Sequence, residues 1–318
     1  MIAEMPDMER TREFMELVEF SKMMKRVDEY VATLGSPIQE KAEPVFVEQK
    51  EKHYSTIDSM EKFDSLLENI SNNITAFDTE TTSLQSLNCE LVGFSFSYQE
   101  NEGFYLPCND VFFKENNQLI LSKLKAYFED KSKKKVGQNL KYDCLVLSQY
   151  DIKVQGIYFD TMIANHLLHP GARNNSLDDM AKTYFNYDMQ SIKELIGTGK
   201  KEITMDLVDI ELVSFYASED ADITFQLYKL LEPKLHEKEL WKVFSEIEIP
   251  LLSTLIEIEK NGVHLDTKFL ADYSADLEVE ITDRLKNIHT ICDEAFFLYI
   301  PEKTEELQKS FIKKNHSH

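Results

Sequence analysis

The sequence predicts an α/β domain with a mixed sheet, followed by a segment that is almost entirely helical. Short, aromatic-rich apolar runs separated by polar turns fill residues 74–106, which is typical of adjacent strands. Helical patterns then alternate with shorter apolar runs between 119 and 184. From Ile210 onward the apolar spacing is helical with almost no interruption. These three observations favour a layered α/β fold over an all-α or all-β fold.

The individual elements follow from apolar spacing and turn residues. An N-terminal helix is predicted for residues 1 to about 35, ended by Gly35-Ser-Pro37, with a charged linker over 40–52. Further helices are predicted over Met60–Ile70, Leu119–Glu129 and Tyr142–Tyr150, up to Leu168, and over Ser176–Tyr184. Strands are predicted over Ile74–Thr79, Leu91–Tyr98, Gly103–Leu106, Lys135–Gly137 and near Val154–Phe159. The close succession of the first three strands predicts an antiparallel meander.

Composition limits the classes of protein that the chain can represent. With 42% hydrophobic residues over 318 positions, it can bury one large core or two smaller ones. No apolar run reaches membrane-spanning length, and the N-terminus lacks a basic stretch followed by an apolar one. The four cysteines have neither paired nor metal-type spacing. We therefore predict a cytoplasmic protein that does not bind membranes.

The net charge of −22 argues against long-range attraction to a polyanion. A local exception is the basic run Lys131-Ser-Lys-Lys-Lys135, with Lys141 soon after it. Two interpretations stay open for this run. It is either a solvated loop before a strand or a small positive rim beside an acidic site.

Four carboxylates spread over more than a hundred residues carry the chemical signal, and they are Asp78, Glu80, Asp143 and Asp220. Asp78 and Glu80 lie two apart at a strand end, so their side chains leave the same face about 6.5 to 7 Å apart. Tyr216 and Asp220 lie four apart on a predicted helix and share a face. Converging carboxylates about 4 to 5 Å apart repel by roughly 3 to 4 kcal/mol, so they need protons or a cation.

Oxygen-only ligands favour Mg²⁺ or Mn²⁺ over a structural zinc ion. Two such ions about 4 Å apart can activate a water and stabilise the leaving oxygen of a phosphodiester. For Asp78 and Glu80 the alternative of a strand-end turn with solvated acids remains open. Glu219 and Asp222 point away from the Tyr216 face and are interpreted as solvated or capping groups.

Residues 70–232 closely resemble the 3′→5′ proofreading exonuclease domain of the family A DNA polymerases, the bacterial DNA polymerase I family. Three motifs carry the resemblance, and together they match the DEDD signature in its tyrosine-containing form. They are Asp78-Thr-Glu80, Asn139-Leu-Lys-Tyr-Asp143 and Tyr216-Ala-Ser-Glu-Asp220.

This resemblance implies a monomeric bacterial protein with a ribonuclease H-like fold and two divalent ions, Mg²⁺ or Mn²⁺. By similarity, Asp78, Glu80 and Asp220 hold the first ion and Asp78 with Asp143 the second, while Tyr216 and Glu80 orient the attacking water. By the same similarity, the residues that would bind a single-stranded DNA 3′ end are Thr81, Leu84, Gln138, Asn139 and Tyr142. Lys141 beside them could contact phosphates or bases. Ile192 stands where some relatives carry an aromatic residue.

The flanks of the motifs resemble the same lineage. The predicted organisation is an N-terminal helix and linker (1–50), the exonuclease domain (51–238), the start of the polymerase thumb (239–295) and a divergent tail (296–318). The chain leaves no room for palm and fingers, so we expect a truncated polymerase I without polymerising activity, whose missing polymerase domain could stand on a separate chain. Two alternatives to a DNA exonuclease stay open: a catalytically feeble fragment, and an RNase D-like enzyme acting on RNA.

Overall fold

The computed structural model describes residues 51–171, 175–199 and 202–291. Its strands are β1 (His53–Thr56), β2 (Thr75–Thr81), β3 (Leu91–Ser97), β4 (Glu102–Pro107), β5 (Lys135–Gly137) and β6 (Ile157–Asp160). Its helices are α1 (Met60–Asn72), α2 (Val111–Glu129), α3 (Leu140–Ser148), α4 (Thr161–Leu168), α5 (Leu177–Phe185), α6 (Ile192–Ile196), α7 (Ile210–Glu237), α8 (Trp241–Val243), α9 (Ile249–Asn261) and α10 (Thr267–Ile291). The predicted N-terminal segment 1–50 and the tail 296–318 lie outside the described residues.

The strands form one mixed sheet in the order β1-β4-β3-β2-β5-β6. The pairs β2–β3 and β3–β4 are antiparallel, which confirms the predicted meander. The pairs β1–β4, β2–β5 and β5–β6 are parallel. The sequence analysis missed β1 because its four residues carry little apolar signal, and its parallel partner lies about fifty residues away.

The two faces of the sheet carry different cores. Phe77 of β2 belongs to the cluster that includes residues of α1, α2 and α3, and its ring meets Phe128 at 4.9 Å between centroids. Ala76 belongs to the opposite cluster, with α4, α5 and α7. Since side chains alternate along a strand, Asp78 and Glu80 share the face of Ala76 and point towards α7.

Helix α7 approaches the sheet closely at Gly103 of β4. A Cβ at this position would lie 2.6 Å from the carbonyl oxygen of Ser218, so only glycine allows this approach. The close packing fixes the height of α7 above β2 and therefore the position of every side chain that α7 sends towards Asp78.

Two predicted helices begin at least two residues away from the observed first residue. Helix α2 begins at Val111 rather than Leu119, because the Asp110 carboxylate accepts a hydrogen bond from the Phe113 backbone N–H at 2.7 Å. Helix α3 begins at Leu140 rather than Tyr142. The overlooked N-cap explains the first difference.

The described residues up to Lys260 form one compact unit, and those from Asn261 onward form a second. Within the second unit, α10 exposes large apolar side chains such as Phe269, Leu270 and Tyr273. The helical pattern predicted after Ile210 is confirmed by α7 to α10. Among the described residues, no helix is both long and apolar enough to cross a membrane.

Candidate active site

Three of the predicted carboxylates meet between β2 and α7. Asp78 and Glu80 leave the carboxyl end of β2 on the α7 face, just before a register shift at Thr81. Asp220 comes from the middle of α7. Each of the three offers a carboxylate oxygen, and these oxygens all lie within 4.8 Å of one another. The i, i+2 spacing on β2 and the position of Asp220 on α7 therefore bring the three carboxylates together.

Tyr216 lies one helical turn before Asp220 on the same face of α7. Its phenol and the Asp220 carboxylate lie close enough for each group to affect the pKa of the other. Burial, and then the negative charges of Asp220 and Glu80, raise the pKa of the Tyr216 phenol well above its usual range. Tyr216 is therefore a neutral hydrogen-bond donor beside the acidic cluster.

Asp143 reaches the same region from α3, on the first turn of that helix. The chain turns into α3 through Asn139, which adopts the left-handed conformation with φ 58°. One oxygen of Asp143 accepts hydrogen bonds from the Thr79 backbone N–H at 3.0 Å and from the Thr79 hydroxyl at 2.6 Å. Asp143 is therefore tied to β2 between Asp78 and Glu80, although it is not one of the three residues whose oxygens lie within 4.8 Å.

Electrostatics make the cluster unstable as a set of bare charges. Burial raises the pKa of Asp78 to about 7. Burial, followed by repulsion from Asp78, raises the pKa values of Glu80, Asp143 and Asp220 well above their usual range. Within the described part of the chain, no lysine or arginine forms an ion pair with any of the four.

Glu80 supplies the clearest sign of what the cluster could bind. Its Oε1 atom is buried and has no hydrogen-bond partner among the described residues. A buried carboxylate oxygen without a donor is costly unless a cation or a proton neutralises it. An all-oxygen donor set of this kind fits a hard divalent cation such as Mg²⁺ or Mn²⁺.

The residues predicted to grip a substrate lie around this cluster. The Thr81 and Tyr142 hydroxyls are hydrogen-bonded to each other, and each lies within hydrogen-bonding distance of the Ser83 carbonyl oxygen, at 3.0 and 2.6 Å respectively. These bonds join α3 to the loop after β2. Leu84 in the same loop is 92% exposed, so its apolar side chain is free to contact a ligand.

The other predicted substrate contacts are partly engaged within the protein. Gln138 accepts a hydrogen bond from the Thr161 hydroxyl and donates to the Asn175 carbonyl oxygen at 2.8 Å. Lys141 forms an ion pair with Glu259 of α9. Ile192, at the start of α6, is 38% exposed.

The interpretation of the basic run as a positive rim beside the site is wrong. Lys135 is fully buried, and its ammonium donates to the Asp130 carbonyl oxygen at 2.7 Å. Lys135 pairs with Thr75, at the opposite end of β2 from Glu80. Since residues 131–134 precede β5, the run lies at the amino edge of the parallel strands and the carboxylates at the carboxyl edge.

The interpretation of Glu219 and Asp222 as solvated groups is also wrong. Glu219 is 1% exposed and accepts hydrogen bonds from Lys52 at 2.8 Å, the Tyr187 hydroxyl at 2.5 Å and the Gln190 backbone N–H at 2.8 Å. Asp222 is fully buried and accepts from the Tyr54 hydroxyl, the Asn101 backbone N–H and Gln226. Helical spacing correctly separated these residues from Asp220 but gave no sign of what covers them.

Asp160 is a supporting residue that the sequence analysis did not identify. Its buried carboxylate accepts hydrogen bonds from the backbone N–H groups of Leu140 at 2.8 Å and Ile163 at 3.1 Å. It therefore caps α4 and fixes the start of α3, the helix that carries Asp143. An aspartate at a strand end before a helical pattern is the usual N-cap signal and could have revealed it.

The six-stranded mixed sheet, its flanking helices and the acidic cluster facing α7 define a ribonuclease H-like exonuclease class of protein. The family model described as 3′-5′ exonuclease matches residues 54–236. The chain belongs to this family, the 3′-5′ exonuclease domain family of DNA polymerase A.

Curated relatives and solved structures agree with this assignment. DNA polymerase I of Pseudomonas aeruginosa is 32% identical over 263 residues, covering 80% of this chain and 29% of the relative. DNA polymerase I of Rhizobium leguminosarum is 33% identical over 255 residues, covering 74% of this chain and 25% of the relative. The chain thus spans less than a third of the length of these polymerases.

Two solved structures show the same fold. The polymerase domain of Pol1 from M. smegmatis, in complex with DNA primer-template and dNTP, superposes with a TM-score of 0.60 at 17% identity, covering 74% of this chain and 37% of that one. NrnC from Brucella melitensis gives a TM-score of 0.51 at 17% identity, covering 67% of this chain and 95% of that one. The ribonuclease H-like fold predicted from the motifs is confirmed.

Proposed function

We propose that this chain removes nucleotides from single-stranded or frayed 3′ ends of DNA. The observation that carries the proposal is the convergence of Asp78, Glu80 and Asp220, with a buried oxygen of Glu80 that has no donor among the described residues. The family to which the chain belongs gives the polarity of hydrolysis, and its DNA polymerase I relatives favour DNA as the substrate.

Two divalent ions, Mg²⁺ or Mn²⁺, would be held by these carboxylates. Asp78, Glu80 and Asp220 would hold the first and Asp78 with Asp143 the second. When bound, such ions lower the pKa of a water and neutralise charge on the leaving oxygen. A structure of Brucella melitensis NrnC with bound Mg²⁺, which has a similar fold at a TM-score of 0.50, supports a magnesium requirement.

The protein's own contribution is to orient the reactants. The Tyr216 hydroxyl and Glu80 would direct a water at the terminal phosphorus, since both lie at the cluster and Tyr216 is a neutral donor. Water then adds to phosphorus and the bond to the 3′ oxygen of the preceding nucleotide breaks. The products are a nucleoside 5′-monophosphate and a strand one nucleotide shorter with a new 3′ hydroxyl.

Substrate binding is proposed for the residues around the cluster. Leu84 would contact the terminal base, because its side chain is almost fully exposed beside the site. The hydrogen-bonded group formed by Thr81 and Tyr142 would hold the loop that presents Leu84. Gln138, Asn139 and Lys141 would contact the backbone or bases of the terminal nucleotides.

The test is digestion of 5′-labelled single-stranded DNA by the purified chain with Mg²⁺, run beside RNA of the same sequence. We expect stepwise shortening from the 3′ end, faster on DNA, that is lost on chelation and in Asp143→Ala. Faster digestion of RNA would favour the RNase D-like alternative. Shortening that survives Asp143→Ala would refute the proposed site.

The exposed apolar side chains of the helices after α7 motivate the second candidate, a folded but feeble fragment. Leu251, Leu255 and Ile258 of α9 are all exposed, which is typical of surfaces that normally pack against other protein. Folded protein that binds no DNA even at low salt, and leaves 3′ ends intact, would favour this candidate.

A further inference from the structure

A buried tyrosine lies beside Glu80 on the neighbouring strands. Tyr105 belongs to β4, and its register partner on β3 is Ser95, whose own partner on β2 is Asp78. Directly opposite residues of antiparallel strands share one face of the sheet. Tyr105 therefore stands on the face that carries Asp78 and Glu80, two strands away from them.

The ring of Tyr105 crosses β3 towards Glu80 because β3 offers it space. Gly93 is the register partner of Glu80. A Cβ on Gly93 would lie 2.3 Å from the Tyr105 hydroxyl oxygen and 2.4 Å from two of its ring carbons. The phenol thus occupies the space where a side chain opposite Glu80 would stand. Opposite Cβ atoms of such pairs are about 4.5 to 5.5 Å apart.

The surroundings of Tyr105 hold the ring in this position. Tyr105 is 1% exposed and packs with Val92 of β3 and with Val213 and Ala217 of α7. Tyr216 packs against the same cluster. The ring is therefore fixed between the sheet and the helix turn that carries Tyr216.

Within the part of the chain that the structure describes, the Tyr105 hydroxyl has one weak hydrogen-bond partner, and one carboxylate oxygen of Glu80 has none. Tyr105 donates to the Val92 carbonyl oxygen at 3.3 Å, near the limit of a hydrogen bond. Glu80 Oε1 is buried with no donor among the described residues. Burial, and then the negative charge of Glu80, raise the pKa of the Tyr105 phenol, which keeps it a donor.

We propose that Tyr105 is a positioning residue for Glu80: when a divalent ion is bound, the Tyr105 hydroxyl turns from the Val92 carbonyl oxygen to the Glu80 carboxylate and holds it in the orientation that binds the ion. The inference rests on the proposed function and deepens it. Tyr105 touches neither the ion nor the substrate, and acts through Glu80. Gly93 makes this role possible, since any side chain at that position would displace the phenol.

The direct test measures Mn²⁺ affinity without DNA, by titration calorimetry, for the wild-type chain and Tyr105→Phe. Groups that orient metal ligands typically contribute 10- to 100-fold in affinity, so we expect Mn²⁺ to bind about 10-fold more weakly to the variant. Tyr127→Phe is the matched control, because it removes a buried tyrosine hydroxyl from the other core cluster. The control should bind Mn²⁺ like the wild type.

Kinetics separate positioning from a merely structural role. In Tyr105→Phe the Mn²⁺ concentration for half-maximal DNA hydrolysis should rise about 10-fold, while kcat at saturating Mn²⁺ changes much less. Loss of thermal stability with unchanged Mn²⁺ affinity would overturn the inference. Gly93→Ala keeps the Tyr105 hydroxyl but displaces it, so this variant should also weaken Mn²⁺ binding. If Tyr105→Phe does not fold, the Mn²⁺ affinity of Gly93→Ala tests the inference.

The outcomes also separate this inference from the proposed function. A wild-type chain that binds Mn²⁺ and shortens DNA, with Tyr105→Phe and Gly93→Ala unchanged in Mn²⁺ affinity, would overturn only the role of Tyr105. A wild-type chain that binds no Mn²⁺ would overturn both.

Discussion

Two adjacent carboxylates of α7 meet opposite environments. Glu219 receives three hydrogen-bond donors, one of them the ammonium of Lys52. Asp220, the next residue, faces Asp78 and Glu80, with the Tyr216 phenol one turn away on the same helix face. A buried acid with a full set of donors stabilises a fold, whereas acids gathered without cations need an ion or protons. We call the side of α7 that carries Glu219 its paired face, and the side that carries Tyr216 and Asp220 its unpaired face.

The largest expected effect is the loss of catalysis when a carboxylate of the unpaired face is substituted. Asp220→Asn keeps the shape of the side chain but removes the charge that would hold the first ion. We expect 3′-end hydrolysis to fall by at least about 10³-fold, or about 4 kcal/mol of transition-state stabilisation. The assay is shortening of 5′-labelled DNA under saturating Mg²⁺. Glu237→Gln, at the exposed end of α7, is the control and should keep wild-type activity.

The paired face should respond in stability instead. Glu219→Ala leaves Lys52, Tyr187 and the Gln190 backbone N–H without their shared acceptor. Removing one partner of a buried ion pair typically costs about 3 to 5 kcal/mol, and we expect a loss of that size in urea unfolding. Glu219→Gln should lose less, because an amide oxygen still accepts. Equal stability of Glu219→Ala and wild type would contradict the structural role of this face.

The pH dependence of metal binding should follow the unpaired face. The folded-state pKa of Asp78 is raised to about 7, so protons compete with a cation below that pH. Mn²⁺ affinity should therefore rise with pH up to at least about 7, by up to tenfold per unit for each displaced proton. Calorimetric titrations at several pH values test this expectation. An affinity that is flat between pH about 5 and 7 would contradict it.

The same raised pKa predicts how the metal-free protein behaves. A carboxyl whose folded pKa exceeds its unfolded pKa binds more protons in the folded state between those two values. Its contribution to stability is greatest below the unfolded pKa and is lost as pH rises towards about 7 for Asp78. Metal-free protein should therefore lose stability as pH rises through this window, as measured by urea unfolding. Saturating Mn²⁺ should remove the loss.

The smallest expected effect concerns a partly exposed ion pair. Lys141 and Glu259 are both partly exposed and form an ion pair between α3 and α9. Glu259→Gln would release Lys141 for a DNA phosphate, and we expect about 2- to 3-fold tighter DNA binding at low salt, since exposed pairs contribute less than about 1 kcal/mol. The gain should vanish at high salt. Lys153, which pairs with Glu257 nearby, supplies the control variant Glu257→Gln.

The sequence predicted the unpaired face of α7 better than its paired face. The i, i+4 spacing of Tyr216 and Asp220 and the strand spacing of Asp78 and Glu80 are local rules, and the motif order joined them. Glu219 was misread because its partners come from residues about 30 and 167 positions away. Local spacing tells which side of a helix a residue occupies, but not which distant chain covers that side.

The same limit explains the other errors. The basic run ending at Lys135 was placed near the site because Asp143 follows closely in sequence, yet β5 carries the chain from one edge of the sheet to the other in between. Strand β1 was missed because its pairing with β4 is a long-range parallel contact. The role of Tyr105 depends on Gly93, and this pairing becomes visible only once the register of three strands is known.

Thermal unfolding of wild type and Asp220→Asn, with and without Mn²⁺ at pH about 8, tests most directly the claim that this acidic cluster is an ion site. With a chelator, the variant should melt higher than wild type by about 2 to 4 °C, because one of the crowded charges is gone. With Mn²⁺, wild type should gain stability and the variant should gain little. A variant that melts lower than wild type in chelator, as we expect of Glu219→Gln, would contradict the account.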